Sequence, residues 1–139
     1  MNKQHDSNLF ERLKNLFFIG VAIVLILLAI REFYIKGGED EEIAKYPRYT
    51  LGEVTDAVQV IGPNSEKLNR FTYQVGDSSY SGSEPGSLPD GQNLFLVKYS
   101  TKHPQYHKFY KRVPLLPTHI PPPEGWAEPP YPVPAENLK

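Results

Sequence analysis

The chain has 139 residues, 40% hydrophobic and 22% charged, with a formal net charge of −1. That length allows one small domain and an anchor, and near-neutrality gives no global attraction to nucleic acid or acidic lipid. Zero cysteines exclude disulfides, thiolate catalysis and cysteine-ligated zinc, while 14 prolines and 10 glycines beside 9 tyrosines and 7 phenylalanines favour an aromatic-cored β module over a helical bundle.

Residues 1–8 are polar and are expected to be disordered. Asn8 and Glu11 have capping-box spacing. Leu9, Phe10, Leu13, Leu16 and Phe17 then recur at helical intervals, so a helix is expected to start at Leu9. It runs into Leu16–Ile30, LFFIGVAIVLILLAI, where twelve of fifteen residues are Leu, Ile, Val or Phe and none is charged. At roughly −0.3 to −0.6 kcal/mol each on an insertion scale, they contribute on the order of −4 to −7 kcal/mol. That offsets the charged ends, provided Lys14 and Arg31 snorkel outward.

Alone the run reaches only about 22 Å at 1.5 Å per residue, against a hydrocarbon core of about 30 Å. Leu13 on one side and Phe33, Tyr34 and Ile35 on the other lengthen it. The reading is a transmembrane helix over 9–36, stopped by Gly37–Gly38. A cleaved signal peptide would need a small-x-small pair before Ala29, Gly37 or Gly38, and none is there. A buried or interfacial helix would need a polar face, which the run lacks. The short basic N-terminal tail, with Lys3, Arg12 and Lys14, is assigned to the cytoplasm. The C-terminal part is then extracytoplasmic, although Arg31, Lys36, Lys45 and Arg48 follow the span.

Residues 37–47, GGEDEEIAKYP, read as an acidic flexible linker reaching about 30 Å when extended. Its four neighbouring carboxylates lack calcium-loop spacing and read as a solvated spacer. A small all-β domain follows over 48–113, with nine basic and nine acidic residues from position 46 onward. Tyr49–Ile61 is β-prone and ends at a Gly62-Pro63-Asn64-Ser65 turn. Arg70–Val75 alternates Phe71, Tyr73 and Val75 with polar residues. Gly76–Asp77 is a hairpin turn returning through Ser78–Ser81. After a loop at Gly82–Gln92, Leu94–Ser100 places Phe95, Val97 and Tyr99 on one face, and Tyr106–Tyr110 is a last short strand. Four to five antiparallel strands of this length make a sheet or a partly open barrel. The proline-rich C-terminal tail, 114–139, has nine prolines and is expected to be extended, with part of it, including Trp126, folding back on the domain.

No catalytic residue emerges. The serine-rich Ser78–Ser83 lacks a Gly-x-Ser-x-Gly elbow, and no histidine has an orienting carboxylate nearby in sequence. His103 and His107 are four apart, but Pro104 between them argues against a shared helical face for a metal. Phosphate-cradling and dinucleotide motifs are absent, so neither a metal, a cofactor nor a small-molecule substrate is expected. One strip stands out, Lys102–Arg112, with four basic residues and two histidines among three aromatics. Lys102, Tyr106, Lys108, Phe109, Lys111 and Arg112, with Trp126, are the candidate contacts for a protein partner or lipid headgroups. Nucleic acid is not expected for a neutral tethered domain. The plain structural alternative is an edge strand with aromatics inward and lysines outward.

FTYQVGDSSYSGS (71–83), LVKYSTKHP (96–104) and PPPEGW (121–126) resemble a group of small bacterial membrane proteins that pair one membrane helix with a C-terminal β domain. The resemblance covers about 50–126. It implies a bacterial source and a β fold, and carries over neither an activity nor site residues. Together these readings lead to an expectation of a single-pass protein of the bacterial cytoplasmic membrane, whose domain is a non-enzymatic binding or accessory module for other membrane or envelope proteins. The alternative expectation is an immunity protein that blocks a toxin or phage component.

Overall fold

The computed structural model describes residues 3–59 and 65–139. Two compact units emerge, Met1–Gly38 and Glu39–Lys139. A single α-helix, α1 (Lys3–Lys45), makes up the described part of the first unit and enters the second. Within the first unit its apolar side chains turn outward: Leu16, Phe17, Leu25 and Leu27 are between 60% and 70% exposed. The helix is long and apolar enough to cross a membrane.

Both expected ends of this helix are corrected. It begins at Lys3 instead of Leu9, so the N-terminal residues expected to be disordered are helical from Lys3 onward. Extending an existing helix fixes one residue per hydrogen bond, and polar residues do so at little cost. At the other end the helix passes through Gly37–Gly38 to Lys45, so most of the acidic flexible linker is helical. Two glycines cost about 1 kcal/mol each relative to alanine. The seven residues after them, EDEEIAK, are rich in good helix formers, and Ile43, only 4% exposed, anchors the last turns in the second unit.

The second unit holds a five-stranded antiparallel sheet: β1 (Pro47–Gln59), β2 (Lys67–Val75), β3 (Ser78–Pro85), β4 (Leu94–Ser100) and β5 (His107–Pro114), in the order β3-β2-β1-β4-β5. β3 extends to Pro85, so Gly82–Pro85 belong to a strand and not to the loop expected there. β5 runs on to Pro114, four residues past its expected end at Tyr110. The expected turn at 62–65 falls almost wholly outside the described residues.

Alternation along the strands fills both faces. On one face Phe71 and Tyr73 from β2, Phe95, Val97 and Tyr99 from β4, and Phe109 from β5 form a buried aromatic cluster, with Val54, Val75, Tyr80 and Leu88 against it. Gly52 in β1 makes room there, since a Cβ would stand 2.5 Å from Val97 Cγ2. Leu96 and Tyr110 sit on the opposite face with Val113 and Leu115, packed against Tyr49, Leu51 and Leu94. The C-terminal segment covers this second face with Trp126, Tyr131, Val133 and Leu138. Burial there pushes the Tyr110 phenol up to about 12.

The tail is held by backbone as well as by side chains. Tyr49 and Trp126 exchange two hydrogen bonds, N–H to O at 2.9 Å and 2.7 Å, as an antiparallel bridge. Tyr99 Oη donates to Glu124 O at 2.7 Å, and Tyr131 Oη to Pro114 O at 2.9 Å. Gly125 adopts φ +75°, and a side chain there would meet Tyr49 O and Tyr99 Oη at 2.6 Å. A short 3-10 helix, η1 (Ala135–Leu138), closes the chain against β5.

Candidate docking cleft between the sheet edges

β3 and β5 are the two edges of the sheet, three strands apart in order. The sheet curls enough for their side chains to meet. Phe71 of β2 packs against Phe109 of β5 with ring centroids 4.4 Å apart and planes tilted by 39°. The His107 ring stands edge-on to Phe71 at 5.3 Å and tilted to Tyr73 at 5.4 Å. Register shifts in β1 beyond Val54 and in β5 opposite Phe95–Leu96 are bulges, which increase local twist and bend. Gly82 permits the final approach, because a Cβ there would overlap the His107 ring and come within 2.6 Å of Phe71 Cζ.

Tyr73 fixes the floor of this region. Its hydroxyl donates to Pro104 O at 2.5 Å and lies 3.2 Å from His107 Nδ1, which is also 2.8 Å from Gln105 O. Burial pushes the Tyr73 phenol well above its ordinary value. A cavity of ≈ 220 Å³ opens between Glu84 of β3, residues 109–112 of β5, and Asn137 and Lys139 of the tail. Lys111 Nζ is 3.9 Å from Glu84 Oε1. Desolvation nonetheless holds the Glu84 carboxyl above the usual range, with Lys111 and His107 drawing it back. Lys111, Arg112 and Lys139 against Glu84 alone make the lining net cationic.

The seven contact residues picked out from the sequence are dispersed. Lys111 and Arg112 line the cleft, and Phe109 contributes to its wall while lying buried in the aromatic cluster. Lys108 is exposed and sits directly opposite Lys98 in the β4–β5 ladder. Burial first, and Lys108 second, lower the Lys98 ammonium. Lys102 lies in the turn after β4 with its Nζ 4.2 Å above the Tyr46 ring. Tyr106 tilts beside His103 at 5.3 Å. Trp126 is on the other face of the sheet, bridged to Tyr49.

The carboxylate missing near the histidines comes from far away. Glu42, in the last turns of α1, pairs through Oε1 with His103 Nδ1. Ser100 Oγ donates to the same Oε1 at 3.4 Å and accepts from the backbone N–H of Lys102 and His103 at 3.2 and 3.3 Å. This serine faces the carboxylate and the turn, so the arrangement is a turn cap and not a nucleophile–base pair. Among the described residues no three His, Cys, Asp or Glu side chains are grouped to hold a metal ion.

No family model matches the chain, and neither the curated proteins nor the solved structures give a significant match.

Proposed function

We propose that this chain is a single-span protein of a bacterial cytoplasmic membrane whose β domain, on the extracytoplasmic side, is a non-enzymatic module that docks on another membrane or envelope protein. The observation that carries the reading is the outward-facing apolar surface of α1 from Leu16 to Ile30, with Leu16 70% and Phe18 59% exposed. So much contiguous aliphatic surface is stable only where lipid or another apolar surface covers it. The domain itself supports a binding reading because its tail and its aromatic cluster already fill both sheet faces. The cleft between the edges is where a partner has room.

Two steps test it. An alkaline wash of membranes from expressing cells is expected to leave the chain in the pellet. Purification in mild detergent is expected to bring a partner at fixed stoichiometry. Release by the wash contradicts the anchor; a pure, partnerless chain contradicts the accessory role.

A further inference from the structure

The two sheet edges are treated very differently. On β5, Lys108 and Arg112 are exposed, the ladder is interrupted by a bulge, and η1 packs alongside. Cationic side chains, bulges and covering segments are the devices that keep an edge from pairing with another chain. β3 has none of these before Pro85. Its register and the Gly86 N–H to Lys67 O bond of 2.8 Å determine which way each residue points. In an antiparallel ladder, hydrogen-bonded pairs alternate. Lys67–Gly86 sets the phase, and the pairs 69–84, 71–82, 73–80 and 75–78 follow. The last of these is also the pair that closes the two-residue Gly76–Asp77 turn.

Ser79, Ser81 and Ser83 therefore aim their N–H and C=O groups away from β2. Among the described residues no hydrogen bond reaches these outward groups. Their side chains are exposed, small and uncharged, so nothing bulky stands beside the open backbone. The domain already uses an extended segment in this way where Trp126 pairs with Tyr49.

We propose that the β3 edge takes up an extended, acidic segment of a partner protein as an added strand. Main-chain hydrogen bonds from Ser79, Ser81 and Ser83 would hold it. Carboxylates on its alternate residues would face the side chains of Lys111, Arg112 and Lys139 across the cleft, where Glu84 is the one acidic side chain in the lining. The inference rests on the binding-module reading and names the surface and the partner's chemistry.

The test uses the full chain in detergent micelles and a displayed library of random peptides eight residues long, the length of β3. Selected peptides are expected to carry Asp or Glu on alternate positions. When bound, they slow amide exchange at Ser79, Ser81 and Ser83 by about tenfold or more, the scale of one protected hydrogen bond. Ser81→Pro removes an outward N–H that β2 does not use, and is expected to weaken binding by about tenfold. Should that variant misfold, Ser81→Glu leaves the backbone intact and guards the edge with a charge that repels an acidic strand. An unchanged exchange rate at the three serines overturns the proposal, as does a selection that enriches nothing. So does affinity that survives both Ser81 variants yet falls with Arg112→Glu, the pattern of a headgroup or other anion read by charge alone. A stoichiometric partner that still co-purifies with the Ser81 variants would leave the docking-module reading standing and place the contact elsewhere.

Discussion

Glu42 and His103 join the last turns of α1 to the β4–β5 turn across 61 residues of sequence. Ser100, fully buried, completes the joint by bonding both the carboxylate and the turn's backbone. Tyr46 adds to it: its carbonyl accepts from Thr101 N–H at 3.0 Å, and its ring lies under Lys102. Glu42→Ala and His103→Ala should each lower stability by about 1 kcal/mol, with the double variant losing less than the sum. Urea unfolding of the full chain in detergent, followed through Trp126 fluorescence, measures this. Strict additivity would mean the two side chains do not act as a pair.

Two glycines with positive φ separate backbone strain from steric exclusion. Gly76 has φ +59° with open space around its missing side chain, whereas Gly125 has φ +75° and is walled in by Tyr49 and Tyr99. Gly76→Ala should cost about 1 kcal/mol. Gly125→Ala should cost roughly 3 kcal/mol, because strain and overlap add and the Tyr49–Trp126 bridge is disturbed. Its Trp126 emission should also shift to the red. Equal losses at the two sites would contradict the packing described for the tail.

Lys98 and Lys108 face each other across the β4–β5 ladder. Like charges directly opposite are unfavourable, so Lys108→Thr should stabilise the domain by about 0.5 kcal/mol. The Lys98 pKa is lowered from 10.5 in the folded chain. Just below pH 10.5 the unfolded chain then holds more protons, and stability should rise with pH through that window. Lys98→Gln should flatten the rise, as titrating unfolding midpoints between neutral and alkaline pH would show.

Glu84 behaves in the opposite sense. Its folded pKa is raised above 4.5, chiefly by desolvation. The folded chain therefore keeps the proton longer, and the stabilisation present at low pH is lost as pH climbs through the folded value. Glu84→Gln should remove that loss and be the more stable protein at neutral pH. If it is less stable there, the attraction to Lys111 outweighs desolvation.

The helix was legible because fifteen uncharged residues leave few alternatives, and β4 because Phe95, Val97 and Tyr99 alternate cleanly. The helix ends were not. Gly37–Gly38 carries a strong local stop signal, yet Glu42 is held by His103, 61 positions away, which no local pattern records. The extra length of β3 was hidden for a related reason: Gly82 and Ser83 are poor strand formers alone, and only the approach of His107 explains a glycine there. The contact strip was read as one surface because its residues are consecutive. A strand sends neighbours to opposite faces, so Phe109 and Tyr110 pack into different clusters, and the register shift beyond Tyr110 takes Lys111 and Arg112 out of the regular ladder. The β3–β5 cleft had no signal in the sequence, since it depends on how far the sheet curls.

The anchor and the side on which the domain lies are tested together by a C-terminal fusion carrying a reporter active only outside the cytoplasm, compared with one active only inside. A membrane-bound chain with signal from the external reporter alone is the predicted result. Signal from the cytoplasmic reporter alone contradicts the orientation, and a fusion found in the soluble fraction contradicts the membrane span itself.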